Sequence, residues 1–215
     1  MEIDHIFIFT DAPEAAAAEL LAFGLSEGSN RVHAGQGTAN RKFYFENFFL
    51  EILWVQNEAE IAAEAMRPTG LWQRARYREN DASRFGLCLV NTPATDAVFA
   101  AATLYQPTYF PAGLAIDVLP HAHNPSLPWT FRLPFPGKKT ASGEPTDHQN
   151  GLGELTQAVF GLARYEASDA LVQQLASQPQ LQFVAASQNS LTLTFDHHRQ
   201  RKSRQFESLS LTIRY

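Results

Sequence analysis

The sequence predicts an α+β fold in which repeated βαβββ modules join into a mixed sheet that curves around a cavity. Two observations carry this. Strand, helix and three strands follow one another at the N-terminus, and the same order returns at the C-terminus with little identity between the two segments. Each short strand set also has an apolar face that a single helix cannot cover. Composition agrees: 45% of the 215 residues are hydrophobic and 18% charged, and sixteen Phe, six Tyr and three Trp point to a thick interior rather than a disordered chain.

The first module occupies residues 1–56. Ile3–Phe9 is a β-branched and aromatic run of strand length. Thr10, Asp11 and Pro13 supply a cap-type residue and a proline suited to a helix's first turn. A helix over Pro13–Phe23 follows, favoured by its alanines and stopped by Gly24. Residues 28–40 hold glycines and asparagines among polar residues, which predicts a short strand and an irregular loop. Residues 42–45 and 48–55 read as two strands joined at Glu46-Asn47.

Residues 57–82 form a helical connector. Asn57 and Glu60 stand at capping-box spacing, and the helix they start ends before Pro68. Thr69 caps a second helix over residues 70–80, which presents Arg74, Arg76 and Arg78 to solvent and turns Leu71, Trp72 and Tyr77 inward. A middle β-α-β-β unit spans 83–136. It holds a strand at 84–90, a helix entered through Thr92-Pro93 and anchored by Phe99, Leu104 and Tyr105, and edge-type strands at 114–119 and 129–133 between recurrent prolines. Residues 137–153 read as a surface loop. The C-terminal βαβββ module covers 154–215, with strands at 154–162, 181–185, 191–195 and 209–215 and a capped helix at 168–177.

Charge and cysteine content narrow the function. Seventeen basic residues against 22 acidic ones leave a net charge of −5, so the phosphate attraction that drives nucleic-acid binding is missing. Cys88 stands alone within an apolar run, which excludes an intrachain disulfide framework and fits a core residue in a reducing compartment. No apolar run approaches the roughly 18 residues that span a bilayer. The N-terminus lacks a secretory signal's basic region. The expectation is a cytoplasmic monomer or homodimer that takes a small-molecule ligand.

Two ionisable residues interrupt apolar stripes. Strand alternation places His5 with Ile3, Phe7 and Phe9, and Glu51 with Phe49, Leu53 and Val55. Desolvation penalises such groups unless they are paired, hydrogen-bonded or metal-bound. Imidazole and carboxylate both suit Zn, Ni, Mn or Fe, while a plain His–Glu hydrogen bond also satisfies them. His33, Asn40 and Arg41 flank a glycine-bearing loop and are candidates for a pocket mouth. His121, His123, His197 and His198 sit in polar surroundings that predict solvent exposure.

Ile3-Asp4-His5-Ile6, the Pro-initiated helix and the strand Phe48-Phe49-Leu50-Glu51-Ile52-Leu53-Trp54-Val55 together resemble the first βαβββ module of the vicinal oxygen chelate superfamily, the glyoxalase/bleomycin-resistance/extradiol-dioxygenase group. His33-Ala34-Gly35-Gln36-Gly37-Thr38-Ala39-Asn40 is similar to the His-x-Gly-x-Gly-Thr-x-Asn stretch of its glyoxalase-like domain subfamily. Asp147-His148-Gln149-Asn150-Gly151 resembles the His-Pro-Asn-Gly that precedes that subfamily's C-terminal strand.

The resemblance implies two modules around a cavity, with metal ligands from the first and last strands of each. That pattern falls on His5 and Glu51. If residues 154–162 are the partner strand, Gln157 takes the next ligand position; if residues 84–90 are, Phe85 falls there and two ligands remain. The expected site is therefore His5, Glu51 and Gln157 around one divalent ion, or no ion at all. Glu51 is the expected catalytic proton carrier, and His33, Asn40, Arg41 and His148 are the expected substrate contacts. The implied functions are an enzyme of lyase, isomerase or dioxygenase type, or a metal-free binding protein of the bleomycin-resistance type.

Overall fold

A computed structural model describes residues 1–138, 143–176 and 178–215. Residues 139–142 of the expected loop and Ser177 at the end of the expected C-terminal helix lie outside the described residues. Strand β1 is Ile3–Phe9 and helix α1 is Pro13–Phe23. Pro13 opens α1 behind Ala12, which offers no side-chain cap, and Gly24 closes it at φ 104°. Strands β2 (Asn30–His33), β3 (Thr38–Tyr44) and β4 (Phe49–Val55) complete the first unit. The expected irregular loop is smaller than the sequence suggested. Gly35 and Gly37, at φ 77° and 76°, confine the turn, so Asn40 and Arg41 belong to β3.

In the connector, α2 is Glu58–Ile61, capped by Asn57, whose side chain accepts from the Glu60 amide. A 3-10 turn over Glu64–Thr69 accommodates Pro68, and α3 runs only over Leu71–Ala75. Arg74 does not face solvent: it is 2% exposed. Its guanidinium donates to the carbonyls of Ser83, Pro120, Pro125 and Leu127. Burial pulls its pKa down to about 9.

The middle unit holds β5 (Phe85–Leu89), β6 (Thr103–Tyr105), β7 (Ile116–Leu119) and β8 (Trp129–Arg132). The helix expected after Pro93 is reduced to one 3-10 turn over Pro93–Thr95. Thr92 and Thr95 close a capping box on each other there, and Thr95 Oγ1 also turns back to the Thr92 carbonyl. Leu104 is 71% exposed on β6 and anchors nothing.

These strands form one eight-stranded sheet in the order β2-β3-β4-β1-β5-β8-β7-β6. β1 is parallel to β4, β5 is parallel to β8, and β1 and β5 meet antiparallel at the centre. The two halves thus repeat one strand order about the β1–β5 pair, and the sheet curls so that β1's partner is residues 84–90, not 154–162. No helix among the described residues is long and apolar enough to cross a membrane.

The C-terminal unit is a separate sheet. It comprises β9 (Leu155–Leu162), α4 (Ala170–Leu175), β10 (Leu181–Ala185), β11 (Ser190–Phe195), β12 (Ser203–Phe206) and β13 (Leu211–Arg214). Its order, β10-β9-β11-β13-β12, differs from that of the other halves. β12 is an additional edge strand whose Ser203, Arg204 and Gln205 lack the apolar alternation that marks a half-buried strand.

Alternation on β1 divides the core. Ile6 and Ile8, with Phe43, Leu50, Phe85 and Leu87, join Phe160, Leu193 and Phe195 of the second sheet in one apolar cluster. Phe7 and Phe9, with Leu53, Cys88, Trp129 and Phe131, form another on the concave side.

Candidate functional site

Ile3 pairs with Leu89 but His5 pairs with Cys88, so Asp4 is the extra residue of a β-bulge. The bulge breaks the expected parity: Ile3 joins the core shared with the second sheet, while His5 and Phe7 line the concave side. It also brings the Asp4 carboxylate to 2.6 Å from His5 Nδ1. With its Nδ1–H donated there, neutral His5 carries its lone pair on Nε2, which lies 3.7 Å from Glu51 Oε2. Phe49 stacks on the His5 ring at 4.2 Å, and Phe131 meets it edge-on at 5.3 Å.

Glu51 projects from the middle of β4, the strand beside β1, and is 6% exposed. Asn40 Nδ2 donates to its Oε1 in a short hydrogen bond. This donor satisfies a carboxylate that burial would otherwise disfavour. His33, at the end of β2, lies beyond Asn40, with Nε2 3.5 Å from Asn40 Nδ2. Burial lowers the His33 pKa, against an opposing pull from Glu51.

These groups open into a cavity of about 510 Å³, within the range of small-molecule sites. Its two walls differ in chemistry. β1 to β4 contribute the polar groups His5, Arg31, His33, Asn40, Lys42 and Glu51 beside Phe7 and Phe49, whereas β8 and its neighbours contribute chiefly apolar side chains, among them Phe110, Trp129, Phe131 and Leu133. Both walls come from a single chain.

Four sequence-predicted residues thus converge: His5, Glu51, His33 and Asn40. Three do not. Arg41 follows Asn40 on β3 and points to the other face, where it forks onto Glu27 and reaches Glu14. His148 packs its ring on Phe45 at 4.4 Å and accepts from the Ser26 amide, tying its loop to the first unit. Gln157 stands on β9 in the second sheet, donates to the Pro179 carbonyl and is not in the cavity lining. Of the histidines expected in solvent, His121 is buried at 7% exposure, while the His123 side chain is 65% exposed and pairs with Asp169.

Sequence reasoning passed over Asp4, Gln36, Thr38, Lys42 and Tyr109. Asp4 left no signal, because alternation assigns it to the opposite face.

A catalytic metal usually has three protein ligands. Here His5 Nε2 and Glu51 Oε2 face each other, but the neighbouring positions on β5 and β8 are Gly86, Cys88, Trp129 and Phe131. Ligand atoms of Asp4, His5 and Cys88 lie within 4.8 Å of one another, yet Asp4 already holds His5 Nδ1. The donor set does not complete the centre that the superfamily resemblance implied.

Solved structures share the fold at low identity. A hypothetical protein from Staphylococcus aureus superposes with a TM-score of 0.61 at 10% identity, covering 99% of this chain and 98% of that one. A triple mutant of 4-hydroxymandelate synthase from Streptomyces coelicolor gives 0.50 at 11% identity, covering 99% of this chain and 61% of that one. No curated protein matches the chain. The glyoxalase-like domain family matches residues 3–177. That span takes in the whole eight-stranded sheet and stops short of β10 to β13, and the chain belongs to the glyoxalase-like domain family.

Proposed function

We propose that the chain is a small-molecule enzyme that moves a proton between its substrate and the Glu51–His5 pair, with no metal in the site. One observation carries this reading. A buried carboxylate has one oxygen anchored by Asn40 and the other facing an imidazole that Asp4 orients.

Among the lyase, isomerase and dioxygenase types, proton transfer is the step these residues are equipped for. Glu51 Oε2 accepts a proton from a carbon next to a carbonyl and passes it to His5 Nε2. Asp4 stabilises the imidazolium that forms, and His5 returns the proton to substrate oxygen or carbon, restoring both groups. Positioned acid–base groups of this kind contribute about 10²- to 10⁴-fold. The aromatic wall of Trp129 and Phe131 suits a substrate with an apolar or aromatic body. The net charge of −5 argues against a nucleic-acid partner, and a single cysteine, buried in the core, supports a cytoplasmic setting.

The experiment is proton exchange in D₂O, followed by NMR over a panel of aromatic and aliphatic carbonyl compounds. Wild type is expected to exchange the adjacent C–H, and Glu51→Gln, which keeps the size and the acceptor for Asn40, to lose at least about 100-fold. Exchange unaffected by the substitution, or absent across the panel, overturns the reading. The apolar wall favours a second reading, a binding protein without turnover, which predicts tight binding by both proteins and exchange by neither.

A further inference from the structure

The segment between β6 and β7 crosses from the far half of the sheet to the turn between β2 and β3. Thr108 Oγ1 donates to the Ala34 carbonyl at 2.8 Å, and the Tyr109 hydroxyl donates to Gln36 Oε1 at 2.9 Å. The second bond begins a row. Gln36 Nε2 donates to Thr38 Oγ1 at 2.8 Å, and His33 Nδ1 lies 2.9 Å from the same hydroxyl. His33 Nε2 faces Asn40 Nδ2, which donates to Glu51. Gln36, Thr38, Asn40 and Glu51 are all buried, which strengthens the bonds among them.

The row has a direction. Burial pushes the Tyr109 pKa up, so its hydroxyl stays a donor and turns the Gln36 carbonyl towards itself and the Gln36 amide nitrogen towards Thr38. Neutral His33 has one N–H. On Nε2 that hydrogen would meet the Asn40 amide nitrogen, donor against donor, so it sits on Nδ1 and Nε2 accepts. Asn40 then uses its amide hydrogens on His33 and Glu51. Its buried Oδ1 has no partner among the described residues, and turning it towards Glu51 would set oxygen against carboxylate.

We infer that Tyr109 is a positioning residue for Glu51: its hydroxyl, supplied by the opposite half of the sheet, anchors the far end of the row through Gln36, Thr38 and His33 that backs the Asn40 amide on the carboxylate. The inference rests on Glu51 being the proton acceptor.

The test reads the His33 ring nitrogens by ¹⁵N NMR in the full chain. Wild type is expected to hold the Nδ1–H tautomer. Tyr109→Phe keeps the ring and is expected to populate both tautomers, with the Glu51-dependent exchange rate falling about tenfold. Gln36→Met, which breaks the row one link further on, gives the same change. Thr108→Val removes the neighbouring bond to Ala34 and leaves tautomer and rate as in wild type. An unchanged tautomer in Tyr109→Phe, or an equal loss in Thr108→Val, overturns the inference. Absence of exchange in wild type would defeat the proposed reaction, while the tautomer would still decide the role of Tyr109.

Discussion

At the scale of single residues, burial decides which protonation state a side chain keeps. His121 lies 3.2 Å from Thr130 Oγ1 at the edge of the Arg74 knot. Burial first, and the Arg74 cation next, pull its pKa from 6.5 down to about 3. Below the upper value the unfolded chain takes up a proton that the folded chain refuses. Stability therefore falls as pH drops through this window, by up to about 1.4 kcal/mol per pH unit, and levels off beneath it. Urea denaturation at several acidic pH values should show a shallower loss in His121→Gln than in wild type, and parallel slopes would remove His121 from the titration. His5 and Glu51 were legible because each breaks an apolar alternation. Arg74 was not: its spacing with Arg76 and Arg78 looks like a solvated face, and the four carbonyls that bury it come from residues 83 to 127.

Among elements, those fixed by local chemistry were the legible ones. The limits of β1 and α1 follow from a β-branched and aromatic run, Pro13 and Gly24. The helix expected after Pro93 failed because threonine side chains there bond their own backbone, and a 3-10 turn uses those bonds better. β5 carries a constraint that composition hides. Gly86 pairs with Phe7, and a Cβ at Gly86 would stand 2.0 Å from Phe7 Cε1. The Phe7 ring is thus seated on bare backbone beside the site. Gly86→Ala should drive that ring into the cavity, costing about 1–3 kcal/mol and weakening ligand binding. Thermal melting and a binding titration check this, and wild-type values in both would show that the ring has another place to go.

Over the whole molecule, the two sheets share a core rather than a linker. Asn47 donates to the Leu155 carbonyl and accepts from its amide, Glu46 hydrogen-bonds across to Gly153, and Arg84 reaches Ser208. Phe85 and Phe160 meet edge-on at 6.1 Å within the shared cluster. Denaturation should therefore follow one transition by both tryptophan fluorescence, which reports the first sheet, and far-UV circular dichroism. Two separated transitions would show that the second sheet folds independently. The choice of β5 over β9 as the partner of β1 was not legible in the sequence, because both strands carry apolar runs and only long-range packing distinguishes them.

Metal-free proton transfer by Glu51 is most directly tested by measuring substrate C–H exchange before and after exhaustive chelation, with Glu51→Gln alongside. The account predicts that the wild-type rate survives chelation unchanged and that the substitution abolishes it. A rate that vanishes on chelation and returns with added Zn, Ni or Mn would contradict it.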